Sequence, residues 1–328
     1  MNNLKVFGKF LDQPILISKL NKNAPAILAT GGALLLANNA IDTFQKSQDK
    51  DTSKKEIFKK GIVMSTAIAS ALVAPKIASK IAKRAPLETL EQIQKANDKL
   101  INDFASKNNI DENIQPLLTK AKEEVLSLAE IKTLSSSLNK TKAGEELFNK
   151  LIPDPENIKA SDIFSEIGYL SIYGAIPVAG GILGGIGADI LAKDDYKKTM
   201  PDKINEGIYQ YLANIFMCNI GAGVALGLLE KAGITSKSAR AIGMTTGIIL
   251  TGILGGSKIA NLISQKVINP IINPKGQTKE RKPELLDAGL HVDDIATVSL
   301  LSGLKWIEPM LPALYSISGY KAGVGYRN

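Results

Sequence analysis

The chain has 328 residues, of which 45% are apolar but only 5% are aromatic, and it contains 28 glycines. Its net charge of +8 is spread over every polar segment and forms no patch with interleaved aromatic residues, so we expect no nucleic-acid surface. The single cysteine, Cys218, excludes an internal disulfide and a cysteine-based metal cluster, and no motif for a cofactor is present.

Six apolar segments predict membrane-spanning helices. Segments three and four carry no charge along their whole length, and both exceed the roughly 20 residues that a span requires. The second and fifth are short unless Lys76 and Lys258 extend to the headgroups. A soluble protein with wholly buried Ala- and Gly-rich helices is the alternative, which charge-free runs of this length disfavour. In chain order the segments cover residues 23–41, 61–81, 167–188, 207–229, 241–257 and 295–320.

A polar insert separates the second segment from the third. Apolar residues at three- and four-residue spacing predict a helix from Pro86 to Phe104, followed by a second helix from Asp111 to Ala129. A third helix, Ala143 to Leu151, is expected to end at Pro153. Ser161 is then expected to cap the helix that leads into the third segment.

These segments predict an all-α, multi-pass helical membrane protein with a small soluble helical-bundle insert. Residues 1–85 would form a basic N-terminal segment and the first transmembrane hairpin, and residues 86–165 the soluble amphipathic insert. Residues 166–328 would supply the C-terminal transmembrane helices. The polar stretches 192–206 and 266–292 are interpreted as solvated connections.

Glycine and alanine recur at four-residue spacing in segments three and five. The order G-G-x-x-G-G, inside an apolar run, does not match the G-x-G-x-x-G fingerprint that a dinucleotide site places between a strand and a helix. Small residues four positions apart instead favour close packing of neighbouring helices. The candidate packing residues are Gly180, Gly181, Gly184, Gly185, Ala188, Gly252, Gly255 and Gly256.

Four polar side chains within the apolar segments are candidate intramembrane sites. Lys305 and Glu308 are three residues apart and can pair on one helix face, and an ionisable pair at membrane depth is a functional-site hypothesis. Alternatively, the sixth segment lies at the membrane surface with both charges solvated, which the nearby prolines favour. Gln210 and Asn214 are four residues apart and are predicted to hydrogen-bond in a seam between helices.

A possible internal repeat and the distribution of lysine bear on topology. Residues 61–68 resemble residues 241–248, and each stretch follows another apolar helix. If both hairpins span the membrane, they face opposite ways, as inverted repeats of transporters do; a chance match of apolar sequence is the alternative. Lysine is abundant on what would be both sides, so the positive-inside rule does not orient the chain.

No enzyme signature occurs in the sequence, so we expect a non-enzymatic protein. The first hypothesis is a membrane scaffold or partner-binding protein that uses its glycine-packed helices and its insert. The alternatives are a small transporter or channel built on the inverted hairpins, a membrane-inserting secreted effector, and a membrane enzyme acting on lipid. The expected partners are the lipid bilayer and, through residues 86–165, a protein. We expect a multi-pass location in a bacterial inner membrane; the oligomeric state is not indicated.

Overall fold

The protein is an all-α, multi-pass helical membrane protein, as the apolar segments predict. The computed structural model describes residues 3–46, 49–85, 88–153, 159–274, 280–284, 287 and 308–325. Within these ranges every regular element is a helix and no strand occurs. Five helices are long and apolar enough to cross a membrane. The chain divides into two compact units.

The helices are labelled in chain order. Three π-helical segments interrupt the longer ones: π1 (Leu212–Phe216) joins α9 to α10, π2 (Ile248–Gly256) joins α11 to α12, and π3 (Ser264–Ile268) joins α12 to α13. The α-helices are α1 (Asn3–Leu11), α2 (Pro14–Lys46), α3 (Lys50–Ala82), α4 (Leu90–Ala105), α5 (Gln115–Glu123), α6 (Leu128–Leu138), α7 (Lys142–Leu151), α8 (Ala160–Leu191), α9 (Tyr196–Tyr211), α10 (Met217–Lys231), α11 (Lys237–Gly247), α12 (Ser257–Ile263), α13 (Asn269–Ile272) and α14 (Leu311–Val324).

Unit 1 contains residues 1–23, 86–158 and 296–310. Its helices α4 to α7 are short and amphipathic, and α1 packs against α6. Their apolar faces meet in one core that includes Leu118, Ile131, Leu134 and Phe148. Burial of these side chains supplies the main driving force for folding of the unit.

Helix boundaries in unit 1 differ from the prediction because capping residues decide them. Thr89 and Gln92 form a capping box, so α4 begins at Leu90 and not at Pro86. Ser127 and Glu130 form a second capping box, which starts α6 and divides the predicted helix 111–129 into two. The third predicted helix agrees with α7 to within one residue.

Unit 2 contains residues 24–85, 159–295 and 311–328. Helices α3 and α8 pack along their length and α14 lies against both, whereas α10 packs along α11 and π2. Helix α2 touches α3 at few points, with Gly32 beside Met64 and Ile68. The two similar stretches of sequence, 61–68 in α3 and 241–248 in α11 and π2, therefore have different neighbours.

The outer faces of the five candidate spans carry large exposed apolar side chains. Exposed apolar side chains along helices of this length are suited to contact with lipid. Examples from the five spans are Leu34, Val73, Leu183, Leu228 and Leu250.

Among the described residues, parts of the two stretches interpreted as solvated connections are helical or buried. Helix α9 begins at Tyr196, and Lys203 and Glu206 on it are buried. The helix that contains α11 to α13 extends to Ile272, and Arg281 and Asp287 beyond it are also buried. The prediction was wrong here because these polar side chains pair with one another inside the bundle instead of being solvated.

The start of α8 and the length of α14 also differ from the prediction. Lys159 is the N-cap of α8, so Ser161 lies in the first turn and not at the cap. Helix α14 has 14 residues, which is shorter than a membrane span. The part of the sixth apolar segment that precedes residue 308, including Lys305 and Trp306, lies outside the described residues.

Candidate functional site

A polar face runs along α9 into π1. Lys203, Glu206, Gln210 and Asn214 follow one another at spacings of three or four residues, and all four are buried. Gln210 Nε2 donates to Glu206 Oε1 at 2.8 Å, and Asn214 Nδ2 donates to Gln210 Oε1 at 2.9 Å. The structure thus brings the two predicted residues Gln210 and Asn214 together along one helix, and Asn214 Nδ2 also lies 3.3 Å from Asp287 Oδ1, beyond that helix.

Arg281 is the centre of a buried ionic group, which we name the Arg281 cluster and define as Arg281, Glu206, Asp287 and Lys321. The Arg281 guanidinium lies 3.3 Å from Glu206 Oε2 and 3.2 Å from Asp287 Oδ1. Lys321 Nζ lies 3.0 Å from Asp287 Oδ1. Two cations therefore face two buried carboxylates, and the partly exposed Glu284 carboxylate also lies within 4.0 Å of both cations.

Neighbouring side chains fix Arg281 in place. Asn261 of α12 donates to the Arg281 carbonyl oxygen at 2.8 Å and accepts from its amide at 3.1 Å. The guanidinium lies over the ring of Tyr209, 4.7 Å from its centroid. Burial disfavours the charge on Arg281, but Glu206 and Asp287 outweigh burial and raise its pKa above the usual range. Arg281 therefore remains a cation.

A second buried group lies where α3 begins, α8 ends and α9 begins. We name it the Asp189 cluster and define it as Asp189, Lys59, Lys203 and Thr199. Lys203 Nζ lies 2.5 Å from Asp189 Oδ2, and Lys59 Nζ lies 2.8 Å from Asp189 Oδ1. Thr199 Oγ1 donates to the same carboxylate at 2.5 Å. One buried carboxylate is thus held by two ammonium groups and a hydroxyl.

A cavity of about 200 Å³ opens beside the Asp189 cluster. Lys60, Asp202 and Ala188 line it together with members of the cluster. Nearby, Lys55 and Lys59 donate to Asp194, and these hydrogen bonds hold the pKa of that carboxyl below its usual range. Charged side chains therefore continue from the surface to the buried Asp189.

Two of the predicted packing glycines lie where α8 and α14 approach each other. A Cβ atom on Gly181 would overlap the carbonyl oxygen of Gly319. A Cβ atom on Gly185 would overlap both the carbonyl oxygen of Gly323 and the Cε atom of Lys203. The two backbones are therefore in direct contact, and Gly185 also leaves the space through which Lys203 reaches Asp189.

The other predicted small residues of α8 face α3 or the cavity. A Cβ atom on Gly180 would overlap Ser70, and one on Gly184 would overlap Thr66. Ala188, one turn further along, is fully buried. The α8 helix thus presents small residues to two neighbours.

The predicted glycines of the fifth segment lie in π2. Gly252 is opposite Cys218 of α10, and Gly256 is opposite Ala213 of π1. A Cβ atom on Gly255 would lie nearest to the carbonyl oxygen of Leu250, which belongs to the same segment. Two of the three glycines therefore contact a neighbouring helix.

Of the predicted pair Lys305 and Glu308, only Glu308 belongs to the described residues. Lys305 lies outside the described residues, and Glu308 lies in the turn before α14. Lys203 and Glu206 were missed because they precede the apolar run of the fourth segment. Their spacing to Gln210 and Asn214 was the available signal.

No protein-family model, curated protein or solved structure matches this chain. Over the part of the chain that the structure describes, no group of three or more His, Cys, Asp or Glu side chains could hold a metal ion. The functional interpretation therefore depends on the two ionic clusters, the helix contacts and the exposed surfaces.

Proposed function

We propose that this protein is a non-enzymatic membrane scaffold that binds a protein partner through its helical insert, residues 86–165. The observation that supports the scaffold is the backbone contact between α8 and α14. At Gly181 and Gly185 this contact leaves no space for an additional side chain between the two helices. Helices packed in this way through small residues form a fixed interface in a bilayer. A bacterial inner membrane remains the expected location.

The pairing of the buried charges also supports a fixed bundle. In the Arg281 cluster each cation lies within 4.0 Å of a carboxylate, and the Asp189 carboxylate is held by two lysines. Separating a buried ion pair leaves an uncompensated charge, which costs about 3–5 kcal/mol. A rearrangement that breaks these pairs is therefore unfavourable, as suits a scaffold.

Fractionation of membranes tests the location of the protein. Because five helices are long and apolar enough to span, the chain should resist an alkaline carbonate wash and should be released by detergent. Recovery in the soluble fraction without detergent would contradict the proposal. An unrelated peripheral protein, removed by the carbonate wash, serves as the control.

An exposed apolar side chain of the insert gives the partner-binding hypothesis a test. Leu128, the first residue of α6, is 42% exposed. A photoreactive amino acid at this position should crosslink in cells to one defined protein, which must then bind the purified chain. The control position is Glu91, which is exposed on α4. Equal crosslinking from Glu91, or no binding in the purified system, would contradict partner binding through this surface.

A second candidate function, a path for protons or ions, is favoured by the polar face of α9. Glu206, Gln210 and Asn214 form a hydrogen-bonded series, and the cavity reaches the buried Asp189 nearby. Buried ionisable groups in membrane helices often mark such paths. In vesicles loaded with a pH-sensitive dye, a scaffold should leave an imposed pH gradient as stable as protein-free vesicles do. If the wild-type chain makes the vesicles leak and Glu206→Gln abolishes the leak, the proposed scaffold function would be replaced by this second function.

A further inference from the structure

The last third of α3 carries two lysines on one outward face, and a third lysine follows at its C-cap. Lys76 and Lys80 are four residues apart, so they lie one above the other along the helix, and Lys83 is the left-handed residue that ends it. All three are exposed, while Ala74 and Ala78 on the opposite face are fully buried. The lysine face is therefore directed away from the packed interior of unit 2.

The two ends of α3 differ in how their lysines are paired. At its start, Lys55 and Lys59 contact Asp194, and Lys60 donates to Thr43. At its end, the ammonium groups of Lys76, Lys80 and Lys83 contact no carboxylate among the described residues. We name these three residues the lysine row. Its charges need a partner from outside the described chain or from solvent.

The position of the lysine row along the span decides which partner is available. The apolar part of α3 begins at Gly61, and a span of about 20 residues from there ends near Lys80. Lys76 then lies about 6 Å inside that end, at 1.5 Å per residue. A lysine at this depth extends its ammonium group toward the headgroups, where phosphate is the nearest anion.

The surface around the lysine row is apolar. Val73, Ile77 and Ile81 are all exposed on the same side of α3. Such side chains suit the upper part of an acyl chain while the lysines contact the phosphate above it. The chemistry of the surface thus matches both parts of a phospholipid.

From this arrangement we propose that the lysine row is a binding surface for the headgroups of anionic phospholipids in one leaflet. Three unpaired positive charges favour a headgroup with net negative charge over a zwitterionic one, whose own cation competes with the lysines. The proposal rests on the membrane location proposed above. It adds the class of lipid that is bound, anionic phospholipid, and the binding surface, the lysine row. Lipid bound here would fix the depth of α3 in the bilayer.

The test uses the full chain in mixed micelles that contain phosphatidylcholine and a small fraction of labelled phosphatidylglycerol. Retained lipid is measured by native mass spectrometry. The wild-type chain should retain phosphatidylglycerol in preference to phosphatidylcholine, and Lys76→Gln/Lys80→Gln/Lys83→Gln should lower its retention on the order of a hundredfold. The matched control, Lys54→Gln/Lys197→Gln/Lys198→Gln, removes the same charge from exposed lysines elsewhere and should retain lipid as the wild type does.

A charge-preserving variant separates charge from folding. Lys76→Arg/Lys80→Arg/Lys83→Arg should retain lipid as the wild type does. Equal loss in the control variant, no headgroup preference in the wild type, or displacement by millimolar inorganic phosphate would overturn the proposal. Failure of the chain to enter bilayers at all would instead overturn the membrane function. Entry into bilayers without headgroup preference would overturn the lipid site alone.

Discussion

Lys203 reaches Asp189 across the backbone of Gly185, and the two charged groups lie 2.5 Å apart inside the helical bundle. The glycine was predicted as a site of helix packing, and its position beside Lys203 adds a second role. Without a side chain at residue 185, α14 can approach α8 and the lysine can pass between them. The packing of α14 against α8 and the Lys203–Asp189 ion pair therefore both require that residue 185 has no side chain.

Gly185→Ala should destabilise the protein by about 1–3 kcal/mol, because the new methyl group overlaps the Gly323 carbonyl oxygen and Lys203. Thermal unfolding followed by circular dichroism in detergent measures the change. Gly187→Ala is the matched control, since an added Cβ there meets no atom within 4 Å. Its stability should be unchanged or slightly raised by the higher helix propensity of alanine. Equal stability of the two variants would contradict the packing at Gly185.

Glu206→Gln should lower the unfolding free energy by about 3 kcal/mol, because it leaves buried Arg281 with one fewer carboxylate. The expected loss lies at the low end of the range for buried pairs because Asp287 still faces the guanidinium. Chemical denaturation in detergent measures it. Asp202→Asn, which neutralises an exposed carboxylate in the same helix, should change stability little. A Glu206 variant as stable as that control would show that the ion pair contributes nothing.

Glu130 should make unit 1 sensitive to acid. Lys120 donates to its carboxylate at 2.7 Å, the Ser127 amide donates at 2.7 Å, and together they hold the pKa of Glu130 at about 2 against an ordinary 4.5. Because the pKa is lowered in the folded state, the stabilisation is complete above about pH 4.5 and is lost as the pH falls toward 2. Glu130→Gln should therefore melt below the wild type near neutral pH, and the difference should vanish near pH 2.

The control for this pH dependence is Glu123→Gln, which changes an exposed carboxylate on the neighbouring helix α5. Its melting temperature should follow that of the wild type at every pH. A constant difference between Glu130→Gln and the wild type from neutral pH to pH 2 would argue against the ion pair as the cause.

Cys218 should be unreactive toward maleimide in the folded protein. Its side chain is fully buried, and Sγ donates to the Ala213 carbonyl oxygen at 2.9 Å. Mass spectrometry before and after denaturation in dodecyl sulfate measures the fraction of Cys218 that maleimide has modified. Gly252→Ala, which places a methyl group on Sγ, should raise the reactivity of the folded protein. Rapid labelling of the wild type before denaturation would contradict the packing of α10 against π2.

Five of the six apolar segments correspond to helices long enough to span, but hydropathy did not predict where each helix begins. The charge-free fourth segment starts at Gly207, yet its helix starts at Tyr196. A hydropathy pattern ends at the first charged residue, whereas a helix ends where its backbone hydrogen bonds end. Lys203 and Glu206 were therefore interpreted as part of a solvated connection, although their spacing continues the polar face of the helix.

The Arg281 cluster was beyond prediction from one sequence for a different reason. Glu206, Arg281 and Lys321 are far apart in the chain, and no local periodicity indicates that they meet. In the insert, by contrast, the signal was local and was missed. Ser127 and Glu130 have the spacing of a capping box, which predicts a new helix at Leu128.

The Arg281 cluster has a consequence for the order in which the protein is assembled. Glu206 is synthesised and enters the bundle long before Arg281, and Lys321 follows last on α14. Until α14 arrives, Asp287 has no Lys321 beside it, and Gly181 and Gly185 lack the α14 backbone that they contact. The early spans can therefore insert one by one, but the interior of unit 2 is completed only by its final helix. An intermediate that lacks α14 would leave this charged interior incomplete, and intermediates of that kind are prone to misassembly and aggregation.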